Sequence, residues 1–208
     1  RLQPAQLDDE GVCQEFIPLV LDCLCSKEHK LRLMASRALP VVVDSSSLEK
    51  CLAYVKEVLF CLPSIDAKHG ALMGMSALLE STLSYGRQRA GGHDSAVVEE
   101  ICRLLRKESN AGLACEGFEA LRALGAGDIV RAKAAREFLA LGFKDTSITP
   151  AARAIKAAAQ TLVSVGLRTR NIEAIKCAMG NCHDSKVAAV KSLKKLLSNF
   201  DDLGDEEE

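Results

Sequence analysis

The sequence predicts an all-α fold, a HEAT/armadillo-type α-solenoid of about five helix pairs. Aromatic residues make up only 4 % of the chain and Trp is absent, a composition that favours helices over strands. The second helix of each predicted pair begins near residues 28, 66, 109, 149 and 184, at intervals close to the roughly 40 residues of HEAT and armadillo repeats. Because one pair cannot bury its apolar face alone, neighbouring pairs should stack. An irregular helical bundle is the alternative.

The first predicted pair consists of helices at about residues 10–25 and 28–43. Pro40 should kink the second of them, because proline removes a helical hydrogen bond. Apolar residues recur in this second helix at helical spacing and predict its buried face. These residues are Leu31, Met34, Ala35, Ala38 and Val42.

The second predicted pair has clearly marked borders. Its first helix opens with Ser46-x-x-Glu49, the spacing of a capping box, and stops at Pro63. Its second helix begins at Asp66, which is the predicted cap. The polar, Gly-containing stretch at residues 86–94 is predicted to be the longest loop.

Three further pairs are predicted from their capping residues and helix stops. Asp128 and Thr149 can cap helices, and Pro150 suits a first helical position. Gly166 and Gly180 are the predicted stops of two later helices. The predicted helices lie at about residues 95–107, 110–124, 128–142, 149–166, 171–179 and 184–200.

We therefore expect residues 1–200 to form one solenoid segment and residues 201–208 to form an acidic, disordered tail. The 27 basic and 28 acidic residues nearly balance, so the overall charge favours neither nucleic acid nor an anionic membrane. The longest apolar runs, residues 16–21 and 39–43, are too short to span a bilayer. Nine cysteines without compact spacing favour a reducing, cytoplasmic location.

One carboxylate–imidazole pair has the residue types of acid–base chemistry. Asp66 and His69 lie at helical spacing, but no nucleophile or second carboxylate accompanies them, and an active site needs a convergent set. We therefore expect His69 to pack where two repeats meet, with Gly70 and Gly74 allowing a neighbouring helix to approach. The glycine-rich and nucleophile motifs of common enzyme classes do not occur. The sequence predicts no catalytic residue, cofactor or small-molecule substrate.

Two cysteine clusters are candidates for a metal site. They are Cys23-x-Cys25 and Cys177-x4-Cys182-His183. Neither has the paired C-x2-C or the H-x3-H spacing that zinc sites usually show. We therefore predict buried thiols at helix ends and no metal.

A basic patch stands out near the end of the predicted solenoid. Few acidic residues accompany it, and two interpretations stay open. The patch is either a solvated helix face, partly neutralised by the acidic tail, or a docking site for an acidic partner surface. The candidate partner-binding residues are Arg168, Arg170, Lys186, Lys191, Lys194 and Lys195.

Residues 28–80 resemble a block of tubulin-folding cofactor D, which has the pattern R-x-L-A-A-K-A-L followed by D-x-x-x-R-H-G. The matching residues are Arg32, Ala35, Arg37, Ala38, Leu39, Asp66, Lys68, His69 and Gly70. This resemblance implies a segment without nucleotide chemistry that binds β-tubulin during assembly of the αβ heterodimer. The basic patch would then contact acidic tubulin.

The same stretch is similar to the thyroid-adenoma-associated family, partner subunits of a tRNA 2'-O-ribose methyltransferase. The family shows an M-A-A-K-A-L block, a Leu-Pro helix end and an N-x-x-H-G-x-L-L motif, whose Asn is replaced here by Asp66. This resemblance implies a solenoid that positions tRNA for a separate enzyme, with the basic patch meeting phosphates. The matching residues are Met34, Leu62, Pro63, His69, Gly70 and Leu72.

The predicted function is therefore a non-enzymatic scaffold that binds a protein partner. Tubulin folding, with β-tubulin as the partner, is the first candidate. Support of a tRNA methyltransferase, with RNA as a further partner, is the alternative, and a generic HEAT-repeat adaptor is the third.

Overall fold

The computed structural model describes residues 10–84, 94–142 and 150–181. All regular secondary structure in these ranges is helical. The prediction of an all-α, helical-repeat fold is confirmed. The chain divides into two compact units, residues 1–94 and 95–208. Within the described ranges, no helix is both long and apolar enough to cross a membrane. Three predicted elements fall outside these ranges: the loop at residues 86–94, apart from Asp94, the helix at 184–200 and the tail at 201–208.

In its described part, the first unit consists of two helix pairs. Its helices are α1 (Glu10–Leu24), α2 (His29–Val42), α3 (Leu48–Cys61) and α4 (Ile65–Ser84). Helix α2 packs against both α1 and α4, and α3 packs against α4. The second helices of the two pairs are therefore neighbours, as in stacked repeats. The most deeply buried side chains of this core include Leu24, Leu39, Val55, Leu59, Leu72, Met75 and Leu78.

The second unit consists of α-helices and one 3-10 helix in its described part. They are α5 (Ser95–Leu105), the 3-10 helix Glu108–Leu113, α6 (Ala114–Ala123), α7 (Asp128–Leu139), α8 (Pro150–Thr169) and α9 (Ile172–Asn181). Helix α8 is central because it packs against α6, α7 and α9. Phe118 and Phe138 meet edge to face in the core, with ring centroids 5.8 Å apart.

The buried face of α2 differs from the predicted stripe. Ala35 and Leu39 are buried as core residues, whereas Leu31 and Met34 are exposed. The prediction that Leu31 and Met34 share the buried face is therefore wrong. The physical reason is Arg32, which is buried on this face because its guanidinium is hydrogen-bonded. A search for apolar periodicity treats arginine as a surface residue and therefore misplaces the buried face.

Asp44 organises the start of α3. Its Oδ1 accepts hydrogen bonds from the backbone N–H and the hydroxyl of Ser47, and its carboxylate also accepts the hydroxyl of Ser46 at 3.0 Å. Ser47 occupies the N-cap position and makes no side-chain capping bond. The predicted capping box of Ser46 and Glu49 is therefore wrong, because Asp44 already holds the Ser46 hydroxyl.

We expect Asp44→Ala to lower the free energy of unfolding by about 1 kcal/mol, because the variant loses the hydrogen bonds that the Asp44 carboxylate accepts from Ser46 and Ser47. Urea unfolding followed by circular dichroism measures this change. Glu49→Ala is the matched control, since Glu49 is exposed and makes no capping bond. An equal loss in both variants would instead favour the capping box.

The start of α4 also has a different cap from the predicted one. Ser64 precedes the helix, and its Oγ accepts the backbone N–H of Ala67 at 3.3 Å. Asp66 lies within the first turn, where an acidic side chain complements the helix dipole. The prediction that Asp66 caps α4 is therefore wrong.

Two predicted helix stops lie inside helices. Helix α8 continues through Gly166 to Thr169, and α9 continues through Gly180 to Asn181. A Cβ on Gly166 would lie 2.6 Å from Cγ1 of Ile175 on α9. Gly166 therefore provides a close contact between α8 and α9 rather than a helix end.

Candidate functional site

A buried arginine joins three segments of the first unit. Arg32 on α2 is 6 % exposed, and its Nη1 donates to the backbone carbonyls of Ser26 (2.7 Å) and Lys27 (2.9 Å), just after α1. Its Nε donates to Nδ1 of His69 on α4 at 3.3 Å. Nη1 also lies 2.8 Å from Oδ1 of Asp66. We call this set the Arg32 junction, and it ties the end of α1 to the start of α4.

The geometry of the Arg32 junction is structural rather than catalytic. In a carboxylate–histidine dyad, the carboxylate accepts the Nδ1–H of the imidazole. Here Nδ1 of His69 accepts a bond from Arg32, and the Asp66 carboxylate is paired with Arg32. His69 is buried and packs edge to face on His29, with ring centroids 5.3 Å apart. The arrangement can therefore fix helix positions, and it does not have the geometry of a carboxylate–histidine dyad.

Two glycines allow α1 to approach α4 at the same place. A Cβ on Gly70 would lie 1.8 Å from the carbonyl oxygen of Leu24, the last residue of α1. A Cβ on Gly74 would lie 2.7 Å from Cδ1 of Leu24. The helix that approaches these glycines is therefore α1 of the preceding pair.

Helix α2 exposes an apolar face to solvent. Met34 is 58 % exposed and Val41 is 81 % exposed, and with Leu31 and Ala38 they recur every three or four residues on one face. We call these four residues the α2 stripe. Exposed apolar side chains grouped on one helix face are candidates for an interaction site. At its Val41 end lies a half-open cavity of about 300 Å³ lined by Pro40, Val41, Val43, Asp44, Ser45, Leu48, Ser81 and Thr82.

The internal repeat indicates what kind of element the α2 stripe receives. When α2 and α4 are aligned at their first residues, Leu31, Met34 and Ala38 of the stripe correspond to Ala67, Gly70 and Gly74 of α4. In α4 these glycines receive the preceding helix pair. The α2 stripe thus occupies the position at which a repeat receives another helix.

The basic patch is described only in part. Arg168 on α8 is about half exposed, and its Nη2 lies 2.5 Å from Oδ1 of Asp128 at the start of α7. Arg170 is exposed and follows α8 with a φ of 53°. Through Arg168 the patch reaches the N-terminal end of α7. Outside the described residues lie Lys186, Lys191, Lys194 and Lys195.

Burial makes three thiols poor nucleophiles. It raises the pKa of Cys115 to about 11, and it also raises the pKa of Cys51 and of Cys102. Such thiols stay protonated near neutral pH, while nucleophiles and metal ligands need the thiolate. Among the described residues, no group of His, Cys, Asp and Glu is arranged to hold a metal. Cys182 and His183 lie outside them.

Sequence reasoning missed the two buried arginines of the molecule's described part. In the sequence, Arg32 stands out only as a matching residue of a family block, and no motif includes Arg131 on α7. Both are 6 % exposed. The position of each arginine could have indicated its burial. Each lies three residues before a buried alanine, and residues three apart share a helix face.

Comparison with known families matches residues 1–78 to the family described as Trm732, C-terminal TPR repeats. This match fits the resemblance to the thyroid-adenoma-associated family, and the comparisons give no support to tubulin-folding cofactor D. No similar protein was found among curated proteins or among solved structures. Because TPR repeats are also helix pairs, the match agrees with the paired helices of the first unit.

Proposed function

We propose that this chain is a non-enzymatic helical-repeat scaffold within a partner subunit of a tRNA 2'-O-ribose methyltransferase. The observation that carries the proposal is the match of residues 1–78 to the Trm732 C-terminal repeats. A partner subunit of this kind binds the catalytic protein and helps to present the tRNA to it.

The matched segment contains the features that define the first unit. It runs through α1, α2 and α3 and through most of α4. It includes the Arg32 junction and the two glycines at the contact of α1 with α4. The residues that carry the family resemblance therefore fold into one stacked module, which supports a shared architecture.

The α2 stripe is the surface that we assign to the catalytic subunit. It lies within the matched segment, and it is apolar, with Leu31, Met34 and Val41 exposed and Ala38 half-buried. Its register corresponds to positions that receive a helix in α4. The cavity beside Val41 can hold a projecting side chain. The proposed occupant is accordingly a helix of the methyltransferase subunit, since protein interfaces use apolar anchors set into pockets.

A reconstitution experiment tests the scaffold function. The chain is mixed with the tRNA 2'-O-ribose methyltransferase subunit of the same organism, with tRNA and with S-adenosylmethionine. We expect the two proteins to co-purify, methyl transfer to rise when the chain is added, and the chain alone to transfer no methyl group. Failure to bind the methyltransferase, together with capture of β-tubulin in a parallel pull-down, would favour tubulin folding instead.

Substitutions in the α2 stripe test the assigned surface. We expect the double variant Met34→Glu and Val41→Glu to weaken co-purification about tenfold or more, because two charges would have to be buried in an apolar contact. Both residues are exposed, so the helical circular dichroism signal should not change. Ile172→Glu, at a residue of α9 that is also exposed, is the control. If both variants bind like the unmodified chain, the stripe is not the contact.

A further inference from the structure

Three arginines gather at the N-terminal end of α7 in the second unit. Arg131 is 6 % exposed, and its Nη1 lies 3.8 Å from Oδ1 of Asp128. The same oxygen is held more closely by Arg168, at 2.5 Å. Arg122 lies near enough for its charge to lower the pKa of Arg131. Its own guanidinium pairs with Glu119 at 2.8 Å. The cluster therefore combines three guanidinium groups with two carboxylates.

Like charges surround Arg131 in this cluster. Burial lowers the pKa of Arg131, and the charges of Arg168 and Arg122 lower it further, whereas Asp128 and Glu119 act in the opposite direction. Asp128 is already paired with Arg168 at a shorter distance than with Arg131. An additional anion would therefore relieve repulsion between the three arginines.

One buried donor of the cluster also lacks a partner. The Nε of Arg131 is buried and has no hydrogen-bond acceptor, and an unsatisfied buried donor costs about 1–3 kcal/mol. The N-cap residue of α7 is Gly127, which provides no side-chain cap for the first backbone N–H groups. These amide groups and the helix dipole add positive potential at the same place.

We propose that the N-terminal end of α7, together with Arg122, Arg131 and Arg168, forms a binding site for a backbone phosphate of RNA. This inference rests on the proposed function for its choice of ligand, because a partner of a tRNA methyltransferase meets RNA. Arg122 and Arg168 are each about half exposed and supply donors at the surface. Arg131 supplies buried charge behind them. Guanidinium groups suit phosphate because they donate two parallel hydrogen bonds.

The neighbouring surface is compatible with a nucleotide. Ile129, in the first turn of α7, is 85 % exposed and offers an apolar contact beside the phosphate. Asp128 disfavours any anion, but it repels a carboxylate as well as a phosphate. The two non-bridging oxygens of a backbone phosphate can accept hydrogen bonds from the guanidinium groups at the surface.

Binding of tRNA to the chain alone tests the site without any methyltransferase. Fluorescence anisotropy with labelled tRNA is measured at two salt concentrations for Arg168→Gln, Arg131→Met and Arg106→Gln. Arg106→Gln is the matched control, since Arg106 is also about half exposed and pairs with a carboxylate, Glu137, at 2.9 Å. We expect the first two variants to lose about tenfold in affinity and to reduce the salt slope by about one. The control should keep the affinity of the unmodified chain.

Thermal unfolding separates a binding role of Arg131 from a structural one. Because its Nε is unsatisfied, Arg131→Met should keep the melting temperature or raise it while tRNA affinity falls. If Arg131→Met unfolds the chain, the tRNA affinity of Arg168→Gln alone decides whether the site exists. The site is refuted if Arg168→Gln binds tRNA like Arg106→Gln, if the unmodified chain binds no tRNA, or if polyglutamate competes as well as tRNA. Since no methyl transfer and no methyltransferase binding are measured, failure of this site can be told apart from failure of the scaffold function.

Discussion

Gly70→Ala should destabilise the first unit by about 3 kcal/mol or more, the upper range of overpacking a core. A Cβ at this position would lie 1.8 Å from the carbonyl oxygen of Leu24, an atom of the main chain. Main chain cannot turn aside as a side chain can, so the end of α1 would have to move away from α4. That movement would also pull apart the Arg32 junction, whose acceptors follow α1 directly.

The loss of stability in Gly70→Ala should be measured in the first unit itself. Cys51 on α3 is 1 % exposed, so the rate at which it reacts with a thiol reagent in increasing urea reports the stability of the first unit. The same experiment on Cys102, which is 8 % exposed in the second unit, gives a second and separate curve. We expect Cys51 of the Gly70→Ala variant to become reactive at much lower urea concentration than in the unmodified chain.

Two other glycines provide graded controls. At Gly74 the nearest atom to an added Cβ is the end of the Leu24 side chain, at 2.7 Å, which can rotate, so Gly74→Ala should cost about 1 kcal/mol. At Gly180 nothing lies within 4 Å, and alanine should there raise stability by about 0.5 kcal/mol, since alanine favours a helix. An order other than Gly70, Gly74 and Gly180 would contradict the close packing of α1 on α4.

The contact of α1 with α4 also shows how far sequence reasoning reaches. Two glycines beside His69, within one helical pattern, predict that another helix approaches closely. The structure identifies this helix as α1, whose last residue, Leu24, lies against both glycines. Spacing alone does not give the distances. Gly166 has the same kind of close contact with Ile175, yet the sequence predicts a helix stop there, because glycine is common both at helix ends and at helix crossings.

Buried charge is the feature that periodicity missed. The stripe predicted for α2 rests on apolar residues alone, but the helix is rotated so that Arg32 faces inward and Met34 faces solvent. Arg32 can be buried because four groups accept its hydrogen bonds or pair with its charge. Two of them lie in the turn before α2, and the other two lie on α4. The partners of Arg32 are known only once α1 and α4 are in place, so spacing grouped Leu31, Met34 and Ala38 but did not show that Leu31 and Met34 are exposed. The Arg131 cluster likewise depends on the packing of α7 against α8.

Arg32→Met should lower the free energy of unfolding of the first unit by about 3 kcal/mol. Methionine keeps most of the aliphatic volume but removes every donor, leaving the carbonyls of Ser26 and Lys27 and Nδ1 of His69 without this partner. A buried acceptor left unsatisfied costs about 1–3 kcal/mol, and partial access of water to the turn limits the sum. The thiol reactivity of Cys51 in urea measures the loss.

Comparison with Asp66→Asn decides which contact of the junction matters most. Asp66 is 46 % exposed, so solvent screens its ion pair with Arg32, and its removal should cost only about 0.5 kcal/mol. Arg32→Lys keeps the charge but cannot reach both α4 and the turn after α1, so its loss should fall between the two. If Asp66→Asn proved as damaging as Arg32→Met, the ion pair would be the dominant contact. If the predicted order holds, the carbonyl and imidazole bonds are what fasten α1 to α4, and the α2 stripe owes its outward position to them.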